Sequence, residues 1–225
     1  MLRAASEFSM RTLLPLLALL AACESEIDNK PAAEVAPAPT AEAPAAPPPA
    51  APAPAAAPVG TPVKADPATS KFEWVAGKVT KDHPGAFTTF AIDGTVNAGT
   101  LTSVKASVDL ASVTSDAEKL TEHLKSPDFF DVAKFATASF ESTAVEPIAG
   151  AAAGQPNVTI KGALDLHGSK KELSLPATVT ANADGSTLLV AEFTLNRQDF
   201  GITYPGKPDD LIKDNVLVKV NATLK

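Results

Sequence analysis

The chain has 225 residues, with 26 Asp or Glu against 19 Lys or Arg, and its formal net charge is −7. An acidic chain without a basic cluster lacks the electrostatic footprint of a nucleic-acid-binding protein. The one cysteine, Cys23, excludes an intrachain disulfide bond and a cysteine-based metal site. Composition divides the sequence into three segments, residues 1–22, 23–66 and 67–225.

Residues 1–22 have the pattern of an export signal. Arg11 precedes an apolar run of about ten residues that reaches Ala22, which fits the charged start and short apolar core of a secretory signal. The run is too short to span a membrane. Because Met10 stands directly before Arg11, the pattern favours Met10 over Met1 as the initiator.

The apolar run ends in Leu20-Ala21-Ala22-Cys23, which resembles the lipobox of bacterial lipoproteins. The resemblance implies cleavage before Cys23, a diacylglyceryl group on its sulfur and a further acyl chain, such as palmitate, on the new amine. Two or more acyl chains anchor a protein stably in a membrane. Glu24, where proteins kept at the inner membrane often carry Asp, favours the outer membrane facing the periplasm. The alternative is an ordinary signal peptide with an incidental cysteine.

Residues 23–66 are rich in Ala, Pro and Glu and have no hydrophobic period, so they are predicted to be a disordered linker. Dense proline favours extended polyproline II structure, and some forty residues of it reach roughly 100 Å. Such a linker is either a stalk that carries the domain away from the membrane or a spacer without that role.

Residues 67–225 form the predicted folded domain, in which apolar and polar side chains alternate along about eight stretches. The clearest stretch places Val104, Ala106 and Val108 on one face. Lys105 and Ser107 occupy the opposite face. Such alternation is typical of strands with one buried side.

One short helix interrupts the strands. Ser115 and Glu118 have the spacing of a capping box. Leu120 and Leu124 share one helical face, and Pro127 ends the helix. The predicted fold class is therefore all-β: a closed eight-stranded antiparallel barrel or a sandwich, with one short helix, after the disordered linker.

The inner positions of the strands include many small residues, among them Gly94, Ala106, Ala138 and Ala191. An eight-stranded barrel with small inner residues has room for one elongated ligand, whereas small residues packed against large ones leave a solid core. These residues alone do not decide between a ligand cavity and a solid core. The candidate lining residues are Phe87, Phe90, Phe129, Phe130, Phe140 and Phe193.

Polar residues give little support to catalysis. The three histidines, His83, His123 and His167, stand in a loop, the helix and a strand end, without the spacing of a metal site. No serine stands in a nucleophile elbow, so neither an enzyme activity nor a metal or cofactor is predicted. His83 and Arg197 are the candidates for contact with a ligand head group, although Arg197 is more readily paired with the backbone or Asp199. Asn196 is predicted to serve a turn.

Three blocks of the domain resemble the YceI-like family of polyisoprenoid-binding proteins. They are His123 to Val132 (HLKSPDFFDV), Ile160 to Gly168 (IKGALDLHG) and Leu195 to Ile202 (LNRQDFGI). They stand in the family's order and cover essentially the whole domain. The resemblance implies a lipocalin-like, extended eight-stranded barrel whose interior holds a long apolar chain, such as a polyprenyl phosphate, a quinone tail or a fatty amide.

The leading hypothesis is a lipid-anchored protein of the bacterial cell envelope that binds an isoprenoid-type lipid for transport or storage. Its predicted partners are that lipid and, through acylated Cys23, the membrane. A homodimer is a further alternative. Two alternatives also stay open. One is a structural or stress-response envelope protein with a filled barrel, and the other is an accessory to a quinone-linked redox enzyme.

Overall fold

The structure, a computed structural model, describes residues 26–35 and 60–225. These residues contain one α-helix, α1 (Glu118–Lys125), and thirteen strands. The strands are β1 (Glu34–Val35), β2 (Thr61–Lys64), β3 (Lys71–Lys78), β4 (Asp82–Phe87), β5 (Phe90–Asn97), β6 (Thr100–Asp109), β7 (Val113–Ser115), β8 (Thr137–Pro147), β9 (Val158–Leu166), β10 (Ser169–Ala181), β11 (Thr187–Asn196), β12 (Gly206–Lys207) and β13 (Asp210–Leu224).

The strands form one curled antiparallel sheet in the order β2-β5-β6-β8-β9-β10-β11-β13-β3-β4-β7. Eight neighbours in this order, from β5 to β3, form the wall, and inward side chains from all of them meet in one core. The predicted all-β antiparallel fold with one short helix is confirmed. The strand number exceeds the predicted eight, because β1, β2, β4, β7 and β12 add to the wall or its edges. In the described ranges no helix is long and apolar enough to cross a membrane.

Residues 64–66 connect the first wall strand, β5, to β13. The backbone N–H of Ala65 donates to the carbonyl of Ile92 on β5 at 2.7 Å. On the other side, Lys64 and Lys225 exchange backbone hydrogen bonds of 2.8 and 2.9 Å at the end of β13. Because strand edges around an apolar interior need hydrogen-bond partners, this segment is part of the barrel. The linker prediction is wrong here, since β2 pairs with β5 and the folded domain begins before residue 67.

Residues 26–35, which we call the strap, also lie on the barrel. Ile27 is 2% exposed and packs on the outer face against Val75 and Leu217. Burying one such side chain contributes about 2 kcal/mol. The strap ends in β1, which pairs with β10. The disordered-linker prediction is therefore wrong for these residues too, while the predicted export signal, the lipidation of Cys23 and the linker over 36–59 lie outside the described residues.

Helix α1 is present, but it begins differently from the prediction. Its N-cap residue is Ala117, without a side-chain hydrogen bond. Ser115 is the last residue of β7 instead, and its hydroxyl donates to the carbonyl of Ala117 at 2.8 Å. The helix ends at Lys125, and its C-cap Ser126 stands directly before Pro127, so the helix stops before the proline as predicted. Leu124 is buried and Leu120 is half-buried, so their shared face packs on the barrel core.

Trp74 lies flat on the neighbouring strand because that strand has a glycine opposite it. Trp74 on β3 pairs with Gly85 on β4. A Cβ atom at Gly85 would lie 2.1 Å from Cζ2 and 2.4 Å from Cε2 of the indole. The indole therefore occupies the space that any other residue at position 85 would fill.

We expect Gly85→Ala to lower the free energy of unfolding by about 2 kcal/mol, because the new Cβ collides with the indole and with the carbonyl oxygen of Thr114, 2.3 Å away. Urea unfolding followed by Trp74 fluorescence measures this loss, since the chain has one tryptophan. Gly185→Ala is the control, because its Cβ meets nothing within 4 Å and only the strain of φ = +84° remains. A loss no larger than that of the control would contradict the packing role of Gly85.

Candidate functional site

The core contains a cavity of about 220 Å³. Its wall contains thirty residues, drawn from the eight wall strands, β4, α1 and adjoining segments. Apart from the indole of Trp74, only Ser139 and Arg197 in this wall carry polar side chains. A nearly uniform apolar surface can hold hydrocarbon but offers little to orient a polar substrate.

Five of the six predicted lining phenylalanines belong to the wall. They are Phe87, Phe129, Phe130, Phe140 and Phe193. Phe90 does not belong to it, because it stands at the first position of β5 and packs against Phe72, with ring centroids 5.9 Å apart. Phe72 and Trp74 line the cavity instead. Their alternation along β3 is the sequence feature that could have identified them.

The small inner residues divide into two groups. Ala106, Ala138 and Ala191 line the cavity. Others are packed solid: Ala222 is 0% exposed in the core, and a Cβ on Gly94 would meet Leu101 at 3.1 Å. Small side chains therefore leave space along part of the barrel and fill it elsewhere.

The residues around α1 form an aromatic boundary of the cavity. Phe130 meets Phe87 edge-on, with centroids 5.9 Å apart. Phe129 packs against His123 at 4.9 Å and Tyr204 at 5.3 Å. Offset and edge-on ring contacts of this kind add to the stability that apolar burial provides. The first family-like block thus positions two rings of the cavity wall.

The structure places His83 away from the cavity. Its Nδ1 lies 2.7 Å from Oδ1 of Asp116, and Lys81 donates to the other oxygen of that carboxylate at 2.9 Å. Hydrogen bonds from His83 and then Lys81 lower the pKa of Asp116. His83 is not among the wall residues, so its predicted head-group contact has no support from this arrangement.

Arg197 reaches the cavity wall, but its guanidinium group is used by the backbone. Nε donates to the carbonyl of Lys213 at 3.1 Å, and Nη1 donates to that of Ile202 at 2.6 Å. Nη2 donates to the carbonyl of Ile212 at 3.3 Å and to Oδ1 of Asp214 at 3.2 Å. Burial lowers the pKa of Arg197, and the charge of Asp214 opposes this effect.

Arg197 finds backbone acceptors because β13 is irregular: its register against β3 shifts between Ile212 and Val216. A register shift leaves backbone carbonyls without ladder partners. Arg197 supplies donors to two of the carbonyls in this interval, from Ile212 and Lys213. The expected pairing with backbone is confirmed, but its acidic partner is Asp214 and not Asp199. Asn196 serves the turn as predicted, accepting from the N–H of Gln198 at 2.9 Å.

Two buried side-chain polar atoms of the described residues lack a hydrogen-bond partner, Nε1 of Trp74 and Nε2 of His167. Trp74 belongs to the cavity wall. The other ring nitrogen of His167 lies 3.2 Å from the carbonyl of Phe200. Within residues 26–35 and 60–225, no three His, Cys, Asp or Glu side chains cluster as a metal site would require.

We expect Arg197→Met to lower the free energy of unfolding by about 3 kcal/mol, because buried carbonyls lose their donors. Urea unfolding measures the effect, and exposed Lys207→Met removes the same charge as a control. A small stability loss combined with a large loss of ligand binding would contradict this interpretation and favour a head-group role for Arg197.

The family model of the YceI-like domain matches residues 64–224. The chain belongs to the YceI-like family. This match begins at Lys64, the first of the residues that join β5 to β13. Two of the three family-like blocks thereby acquire structural roles, as part of the aromatic boundary and as the Arg197 turn.

Curated relatives of this YceI-like chain include UPF0312 proteins of Pseudomonas. One from Pseudomonas fluorescens (strain SBW25) is 37% identical over 106 residues, covering 44% of this chain and 52% of the relative. One from Pseudomonas putida (strain W619) is 35% identical over 124 residues, covering 51% and 61%. The chain thus spans about half to three fifths of the length of these relatives.

Solved structures share the fold. BcnA of Burkholderia cenocepacia superposes with a TM-score of 0.62 at 23% identity, covering 71% of this chain and 98% of BcnA. A polyisoprenoid-binding domain from Saccharophagus degradans superposes with a TM-score of 0.56 at 16% identity, covering 73% and 97%. At these identities the similarity establishes the architecture.

Proposed function

We propose that this protein holds a long apolar lipid, of the polyisoprenoid or quinone type, inside its barrel and acts by binding without catalysis. The observation that carries the proposal is the cavity whose thirty wall residues are almost all apolar. Apolar surface covered by such a wall is stabilised by roughly 25 cal/mol per Å². The fold shared with a polyisoprenoid-binding domain supports the same class of ligand.

The cavity volume limits how much lipid fits in the present arrangement. An engineered apolar cavity of about 150 Å³ binds benzene, whereas typical ligand pockets measure about 300–1,000 Å³. At about 220 Å³ this cavity accommodates a segment of a chain. Binding of a whole long lipid therefore requires the cavity to widen.

We further propose that the protein is anchored through acylated Cys23 in the bacterial cell envelope, at the outer membrane facing the periplasm. The strap changes the geometry expected of that anchor. Only residues 24 and 25 separate Cys23 from the first strap residue. Three steps of chain span at most about 11 Å. The barrel is then held close to the membrane, and the 100 Å stalk is replaced by a connection over 36–59 whose two ends both meet the barrel.

The lipid cargo is tested first by extraction. The full chain with Cys23→Ser, purified after export, is extracted with organic solvent, and the extract is analysed by mass spectrometry. A stoichiometric isoprenoid or quinone is the expected result. A folded protein that yields no lipid and takes up no added polyprenyl alcohol would instead support the filled-barrel alternative. Dimerisation stays a prediction that sedimentation of the same sample checks.

Ala106→Leu is expected to weaken binding of a polyprenyl alcohol at least tenfold, because the larger side chain occupies the cavity. Ala91→Leu makes the same chemical change on the exposed face of the adjacent strand and is the matched control. Titrations followed by Trp74 fluorescence measure both affinities. Similar affinities for the two variants would place the lipid outside the cavity.

Cys23→Ser is expected to move the protein from the membrane fraction to the soluble fraction and to abolish incorporation of labelled palmitate. Ser25→Ala, two residues further along, is the control that keeps the thiol. Retention of the Cys23→Ser protein on membranes would contradict the acyl anchor while leaving the cavity proposal untouched.

A further inference from the structure

Strands β10 and β11 separate part of the way along their length. Their register runs from Ala181↔Thr187 to Thr178↔Val190 and stops there. Four residues further along the same register, Ser174 would stand opposite Thr194. Neither residue has the other as partner, since Ser174 pairs with Glu34 and Thr194 with Ala32 of the strap. We call this separation the seam.

The strap fills the seam as an inserted strand. Ala33 donates its N–H to the carbonyl of Thr194 at 2.8 Å, and Thr194 donates its own to that of Pro31 at 2.9 Å. The strap is thus parallel to β11 and antiparallel to β10. Ala33 and Val35 pack against the barrel core, whereas Ala32 and Glu34 are exposed.

Pro176 removes one of the donors with which β10 could pair with β11 across the seam. On the β9 side, Asn157 donates its N–H to the carbonyl of Ala177 at 2.9 Å, and Val179 donates its N–H to Oδ1 of Asn157 at 2.8 Å. Backbone groups alternate in direction along a strand, so those of position 176 face β11. A proline there has no N–H to donate, which interrupts the ladder at that point.

The strap is held more weakly than any wall strand. It pairs with β10 at two positions and with β11 at one, whereas β11 and β13 pair at ten. Its ion pairs join Glu26 to Lys219, Asp28 to Lys213 and Lys30 to Glu192. All six side chains are at least partly exposed, and such pairs contribute little to stability. Ile27 is the one strap residue whose side chain is fully buried.

We propose that the seam is the lateral entrance of the barrel and that the strap leaves it to admit an apolar chain from the membrane. The inference rests on the proposed function. Leu173 and Leu175 on β10, with Phe193 and Leu195 on β11, line the cavity directly inside the seam. The strap begins three residues after Cys23 on the outer face of β13, the strand paired with β11, and reaches the seam at Pro31, eight residues after Cys23. An acyl anchor therefore holds the barrel face beside the seam next to the lipid surface. An apolar chain can therefore pass into the cavity without crossing water.

A reversible disulfide tests the entrance. Glu34 and Ser174 are antiparallel partners, and the Cα separation of such pairs suits a disulfide bond. In the full chain with Cys23→Ser, the pair Glu34→Cys and Ser174→Cys locks the strap when oxidised. Phosphatidylcholine vesicles carrying a dansyl-tagged polyprenyl alcohol supply the probe, and energy transfer from Trp74 reports its arrival in the cavity.

Oxidation is expected to slow uptake at least tenfold, and reduction of the same sample is expected to restore the rate. The control pair Lys105→Cys and Glu141→Cys joins two partners of the continuous β6–β8 ladder on the outer face, where oxidation is expected to change nothing. Equal rates for the oxidised and reduced strap variant would overturn the entrance. Uptake by neither form of either variant would contradict lipid binding itself.

A second variant tests whether loosening the strap raises the rate of probe uptake, the opposite of the effect of the disulfide. Ile27→Ala removes the main apolar contact of the strap on an outer face that contributes no cavity residue. Uptake from the same vesicles is expected to accelerate severalfold, with an unchanged final amount of bound probe. An unchanged or slower rate would show that release of the strap does not limit uptake, against the proposal.

Discussion

The barrel depends on the pairing of every strand edge around an apolar interior, because an unpaired backbone group beside that interior is costly. Two of these edges are completed by segments outside the eight wall strands. Residues 64–66 connect β5 to β13, and strap residues 31–35 fill the seam between β10 and β11. The first segment fixes the closure of the wall, while the second is held by few bonds. The stability of the barrel and the access of a ligand to its cavity can therefore depend on different parts of the chain.

The family-like turn after β11 serves the fold more than it serves chemistry. Arg197 provides donors to carbonyls at the irregular part of β13, Phe200 is 0% exposed, and Gly201 has φ = +75°. A left-handed backbone at that position favours glycine. The one cation in the cavity wall is thus occupied by backbone carbonyls and Asp214, which keeps the interior apolar. A motif of charged residues need not mark a polar site.

Alternation predicted the long strands because their two faces meet different surroundings, core and solvent, and side chains record that difference residue by residue. Strap residues 34–35 and β2 carry too short a pattern to be recognised inside Ala/Pro-rich sequence. They become strands because free edges exist elsewhere in the sheet, a tertiary condition that local sequence does not contain. The prediction that Phe90 lines the cavity is wrong for a related reason. Its side chain is on the predicted face of the strand, but its position at the end of β5 lies beyond the cavity. Small inner residues leave a cavity only where no large neighbouring side chain fills the space beside them.

The two ends of residues 36–59 are fixed, one by the strap and one by β2. A strap that leaves its seam therefore stays attached to the barrel on that side, and an acyl anchor would restrain it on the other. Tethering keeps a released segment at a high effective concentration beside its binding site. Any chain that occupies the seam competes against this concentration, whatever the amount of protein in the cell.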